Sequence, residues 1–112
     1  MKRGEVRWYT FKAPDKRRPV LILTRDSAIG VLNALTVAPI TTTMRDVPSQ
    51  VFLSQADGML TECVVNADSL QTVPKQQLGE LITQLSAVRM AEVKQAIDFA
   101  LGNDVWNTND TK

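Results

Sequence analysis

Histidine is absent from all 112 residues, cysteine occurs once, at Cys63, and no apolar run approaches the ~20 consecutive residues that a bilayer-spanning helix requires. The missing imidazole removes histidine acid–base catalysis and histidine-ligated metals, the commonest designs for a small soluble enzyme. Arginine, hydroxyls and carboxylates are left to carry any chemistry, and neither a metal nor an organic cofactor is expected. A lone thiol forms no intrachain disulfide, and the acid and apolar neighbours Glu62, Val64 and Val65 raise a thiol pKa. Cys63 therefore reads as a buried structural thiol and not as a nucleophile. The opening MKRGEVRWYTF alternates polar and apolar residues instead of offering the apolar stretch of a secretion signal, so a reducing, cytoplasmic setting without a membrane is expected.

An apolar fraction of 44% with 22% charged residues is globular composition, and the length suits one domain with one modest core. The net charge is only +1, but its distribution is uneven. Residues 1–25 carry eight Lys and Arg against Glu5 and Asp15, for +6, and the remainder of the chain carries −5. Such a cationic surface attracts a polyanion whatever the total charge. At its centre lies KRRPVLIL, residues 16–23, where cations run straight into a buried-type strand. Arg18, at that junction, has its stem held by packed structure and its donors facing solvent, which suits bidentate capture of a phosphate.

Alternation over Glu5 to Phe11 predicts a half-buried strand, with Val6, Trp8 and Thr10 on one face and Glu5, Arg7 and Tyr9 on the other. Pro14 and Asp15 supply a turn, and Pro19 to Thr24 is a second strand, completing a hairpin. Ala34 to Thr41 is a third, which Pro39 marks as an edge or bulged strand. Shorter strands are expected at Gln50–Leu53, Glu62–Ala67 and Leu70–Val73, and Pro74 closes the β-rich part. Beyond it, Leu78, Leu81, Ile82 and Leu85 follow helical spacing. Ser86 is then an N-cap for a helix whose stripe is Met90, Val93, Ile97 and Leu101 with Ala100 beside it, stopped by Gly102. Strands followed by helices, without βαβ alternation, give an α+β class: a small barrel with a helix at its end. Residues 103–112 are expected to form a frayed tail.

In order, the segments KRGEVRWY, RRPVLIL, TVAPITTT, ECVVNADSLQTVPKQQL and LGELITQLSAVRMAEVKQAIDFALG resemble the MazF/PemK family of bacterial toxins from toxin–antitoxin pairs, over residues 2–102. The resemblance implies an SH3-like small antiparallel β-barrel with a C-terminal helix, occupying residues 1–102. It also implies a homodimer that cuts single-stranded RNA at short motifs without metal, leaving a 2′,3′-cyclic phosphate and a 5′-hydroxyl, and that thereby inhibits translation. A cognate antitoxin, a separate chain with an acidic and apolar tail, is expected across the cationic groove. Apolar side chains at Val20, Ile22 and Val37 offer area for the dimer.

The same resemblance assigns residues. Arg18 matches the arginine of the R-P-V strand entry, where its fixed donors suit the charge growing on the phosphorus oxygens. Thr41 matches the threonine after the Ile-bearing strand and serves the same phosphate by its hydroxyl. Lys16, Arg17 and Thr42 would grip flanking phosphates and sugars, Asp68 and Ser69 would read a base edge, and Trp8 or Tyr9 would offer a stacking face. Family members commonly place Gly and Glu in the loop before R-P-V, whereas this loop holds only Asp15 as an acid, so either Asp15 substitutes for that carboxylate or catalysis rests on positioning and charge stabilisation alone, the reading preferred here, with the proton acceptor unassigned. Two competing functions share the fold: a CcdB-like toxin that poisons a topoisomerase by protein contact, and a non-catalytic RNA-binding barrel.

Overall fold

A computed structural model describes residues 1–12 and 17–104. The expected turn at Pro14 and Asp15, the candidate Lys16 and the tail from residue 105 onward lie outside the described residues. Seven strands form one antiparallel sheet: β1 Glu5–Thr10, β2 Arg17–Ile22, β3 Ala34–Thr41, β4 Gln50–Leu53, β5 Cys63–Asn66, β6 Gln71–Pro74 and β7 Leu81–Gln84. Their order is β4-β5-β3-β2-β1-β7, with β6 also paired to β3. A short helix, α1, covers Asp26–Ile29, and the C-terminal helix α2 covers Ala87–Ala100. The sheet curls into a half-barrel with α2 at its end, the α+β architecture that the residue pattern predicts.

Burial on both faces explains the uninterrupted apolar run of β2. Leu21 and Leu23 join Val6, Ala38, Ile40, Leu53 and Val65 in one cluster that also takes in Val93 and Ala96 of α2. Val20 and Ile22 point the other way, into a second cluster with Ile29, Leu35, Val37, Val73 and Leu78, flanked by Tyr9 and Phe11. Val20, Ile22 and Val37 are therefore fully covered within one chain. They supply no area for a dimer, because the side chains of β1, β3, β6 and α1 close over them. Cys63 is buried in the first cluster, and that burial, helped by the charge of Asp57, pushes its thiol up from the ordinary value.

Two expectations fail for identifiable reasons. The helical stripe over Leu78–Leu85 is not a helix: Leu81–Gln84 forms β7. The free edge of β1 governs there, since Glu5, Val6 and Arg7 pair with Gln84, Thr83 and Leu81 across a bulge. Leu81 is 51% exposed while Leu85 is buried. The apolar spacing is compatible with a helix, but the pairing to β1 and not the spacing decides the element. Nor is β3 an edge strand, for it pairs with β2 on one side and with β5 and β6 on the other. Pro39 is tolerated because it falls where β3 changes partner, between the residues paired to β6 (34–37) and those paired to β5 (40 and 41).

Helix α2 starts as predicted, with the Ser86 hydroxyl accepting from the Arg89 amide at 3.2 Å, and ends at Gly102 with φ of +78°. Its buried stripe is Val93 and Ala96 with Met90, Ile97 and Ala100 alongside, whereas Leu101 is exposed. The helix is tied to the barrel by Arg89, whose Nε donates to Asp57 at 2.9 Å and whose Nη1 donates to Glu92 at 2.8 Å. The Arg89 hydrogen bond holds the Asp57 carboxyl below the ordinary range, although burial opposes it. A depressed folded-state pKa stabilises the fold above the unfolded value, and that contribution is lost as pH falls through the folded one. The urea midpoint is therefore expected to drop below about pH 4, and Asp57→Asn should lose that part of the slope. At neutral pH the same substitution costs about 1.5 to 3 kcal/mol, the range for a hydrogen bond to a charged group.

Candidate functional site

Arg18 and Thr41 lie just past the end of the β2–β3 ladder. The β2–β3 ladder pairs Val20 with Pro39, Leu21 with Ala38 and Ile22 with Val37. The ladder ends at Val20 and Pro39, and Arg18 and Thr41 follow two residues further out on their own strands. Both lie on the face of Val20 and Val37, one step beyond the last covered pair. Arg18 is exposed and Thr41 half-buried, so neither is directed into the interior.

The two residues stand on the wall between two open cavities of about 370 and 350 Å³, and both line each of them. The first cavity is polar, with Thr43, Arg45, Gln50, Asn66, Ser69 and Gln71 around it and Phe11 and Pro39 at its floor. The second is more apolar, with Trp8, Ile40, Met59, Leu60 and Ile82 beneath Arg17, Thr42 and Thr61. Among the described residues lining these cavities there is no carboxylate, and none lies within 4.0 Å of Arg18 or Arg45 in an ion pair. Among the described residues the centre of the furrow is cationic, which favours a polyanion there.

The Thr41 hydroxyl is oriented. Its oxygen accepts the Thr43 amide at 3.2 Å, leaving its proton free to donate outward. Arg17 occupies the strand position before Arg18 and lies over the Trp8 ring, 4.2 Å from its centroid. It also approaches Glu80 at 3.9 Å, a contact between exposed groups that water weakens. Thr42 lines the apolar cavity. The Tyr9 and Phe11 rings meet edge to face at 4.9 Å, and the Tyr9 hydroxyl donates to Gln77 at 3.3 Å, which holds the Tyr9 ring in place.

Ser69 lines the polar cavity, while Asp68 lines its continuation, a third hollow that shares Arg45, Gln50, Asn66 and Ser69 and ends at Phe99 of α2. One Asp68 oxygen accepts from the buried Ser49 hydroxyl, and its amide donates to Asn66 at 3.1 Å. Asp68 thus braces the β4 entry as well as facing the furrow. Arg45, Thr43, Gln50, Asn66 and Gln71 were not predicted from the sequence. They come from a loop and from strands distant along the chain, and extending the β2–β3 register was the signal that could have brought the loop after Thr41 to Arg18.

A curled antiparallel half-barrel with a C-terminal helix and this furrow is the MazF-like toxin fold. The chain belongs to the family described as PemK-like, MazF-like toxins of type II toxin–antitoxin systems, which it matches over residues 2–101. It is 41% identical to an endoribonuclease of Mycobacterium tuberculosis, MazF3, over 90 residues, covering 80% of this chain and 87% of that one. Among solved structures, the M. tuberculosis toxin MazF-mt6 superposes with a TM-score of 0.81 at 36% identity, covering 88% of this chain and 96% of the other. A mycobacterial endoribonuclease solved with its cognate antitoxin gives 0.79 at 26% identity, over 91% and 95% of the two chains.

Proposed function

We propose that this chain is the toxin of a toxin–antitoxin pair and acts as a metal-independent endoribonuclease on single-stranded RNA. The observation that supports this reading is that Arg18 and the Thr41 hydroxyl line the same two cavities, whose walls hold no carboxylate among the described residues. RNA carries its own nucleophile, the 2′-hydroxyl. Attack on the adjacent phosphorus breaks the bond to the 5′-oxygen and leaves a 2′,3′-cyclic phosphate and a 5′-hydroxyl. The protein has to hold the sugar and phosphate in line and to stabilise the charge that grows on the phosphorus oxygens. Arg18 supplies a permanent cation in a fixed fork, and Thr41 supplies a second donor.

With no described carboxylate on the cavity walls, positioning and charge stabilisation carry the rate: water takes the proton that the 2′-hydroxyl loses and supplies the one that the leaving 5′-oxygen gains. Arg17, Thr42 and Ser69 are assigned to the flanking backbone and bases, and Lys16, which lies outside the described residues, is assigned the same role. Asp68 keeps one oxygen for a base edge beyond its bond to Ser49. The antitoxin occupies the same furrow by an acidic and apolar segment, as the charge and the apolar wall at Trp8, Met59 and Leu60 suit. The working assembly is a homodimer, a proposal that rests on family likeness and not on the covered faces of β2 and β3. RNA cutting accounts for an arrest of translation and growth.

Total RNA incubated with the protein in excess EDTA tests this directly. The expected result is sequence-specific cutting with cyclic phosphate ends, reduced about a hundredfold in Thr41→Ala. Intact RNA beside arrested DNA supercoiling would instead identify a topoisomerase poison. RNA that is bound but left whole would identify a non-catalytic barrel.

A further inference from the structure

The loop between β3 and β4 bears Thr43 and Arg45 on the furrow wall, yet has no regular structure of its own. It turns through Asp46, whose φ of +53° is the left-handed region that a non-glycine residue seldom adopts. One side chain closes it. The Gln50 Nε2 donates to the Thr43 carbonyl at 3.2 Å, and its Oε1 accepts the Arg45 amide at 2.8 Å. The Gln50 amide of the main chain adds a third bond, to the Val47 carbonyl at 3.0 Å. Thr43 in turn donates its own amide to the Thr41 hydroxyl.

We infer that Gln50 is a positioning residue for the cleavage reaction: it grips the Thr43–Arg45 segment from β4, and through Thr43 it fixes the oxygen of Thr41. The inference rests on the nuclease reading above and deepens it. Gln50 touches no reacting atom in this account. Its position at the start of β4 is set by pairing to Asn66 of β5, so the sheet, and not the loop, determines where Thr43 sits. A carboxamide is suited to the task because it donates and accepts at once, which neither a hydroxyl on a shorter stem nor a carboxylate does for both loop groups at this reach. Rotation of Thr41 away from the phosphate would lower the rate of the bound complex, whereas displacement of Arg45 would weaken capture of the RNA.

Gln50→Met keeps the length of the side chain and removes both bonds. Its turnover of a short single-stranded RNA is expected to fall about tenfold in kcat, with KM raised about threefold, at temperatures well below melting. Amide exchange followed by NMR reads the loop without RNA. In Gln50→Met the Arg45 and Thr43 amides should exchange about fivefold faster, whereas Thr41→Ala should free the Thr43 amide and leave that of Arg45 protected. A purely structural Gln50 would shift the melting temperature and leave kcat alone. A kcat within twofold of wild type, or unchanged exchange at both amides, overturns the inference while wild-type cutting still stands. Wild-type protein that leaves RNA whole overturns the nuclease reading, and this inference with it, on a separate observation.

Discussion

Arg18→Ala is expected to lower kcat/KM for single-stranded RNA by about a hundred- to a thousandfold, the loss of about 2.7 to 4 kcal/mol that accompanies removal of one donor from a charge-stabilising site. The basis is positional. Arg18 follows two residues outside the last β2–β3 pair, on the face shared with Thr41, and lines both cavities. Its guanidinium is exposed, so the substitution removes no core packing and the far-ultraviolet spectrum and melting temperature should match wild type. Arg18→Lys restores the charge but not the fork, and should remain at least about tenfold down, since an ammonium cannot hold two phosphate oxygens in a fixed plane. An Arg18→Ala protein that cuts within threefold of wild type would remove the arginine from the chemistry and leave Arg45 as the described cation to test next.

Much of the barrel is legible in the residue order because each signal there is local. The alternation of Glu5–Phe11 and the continuous run at Pro19–Leu23 describe β1 and β2 without knowledge of their partners. The Ser86 cap and the Gly102 stop bracket α2 in the same way. What escapes is what depends on a distant partner. Nothing near Leu81 says that β1 has an open edge, and nothing near Pro39 says that β3 changes neighbours beside it. The same division runs through the site. Arg18 and Thr41 were reachable from the family pattern, and both line the same two cavities. Arg45, Gln50 and Asn66 were not reachable, because each is an ordinary polar residue until the sheet folds the loop after Thr41 back over β4 and β5. The dimer argument from Val20, Ile22 and Val37 failed for the converse reason: a strand buried on both faces reads like one with a face to spare.

Gly58→Ala is expected to destabilise the fold by about 3 kcal/mol, the sum of roughly 1–2 kcal/mol for left-handed backbone and the 1–3 kcal/mol typical of an overpacked site. Gly58 has φ of +93°, closing the 3-10 turn Gln55–Asp57. A Cβ there would stand 2.3 Å from the Thr83 hydroxyl oxygen and 2.7 Å from the Thr83 Cβ. Thr83 cannot withdraw cheaply, because it is paired to Val6 within β7 and its hydroxyl donates to the Asp57 carbonyl at 3.0 Å. The melting temperature should fall by about 12–24 °C, taking about 4–8 °C per kcal/mol for a domain near this size. Adding Thr83→Gly clears the overlap and leaves the backbone cost, so the double variant should lose less than the two single losses combined. A Gly58→Ala protein that melts within about 3 °C of wild type would show that the turn can move. Such a turn would carry Met59, Leu60 and Thr61 with it, and the apolar wall of the furrow would then be adjustable instead of fixed by β7.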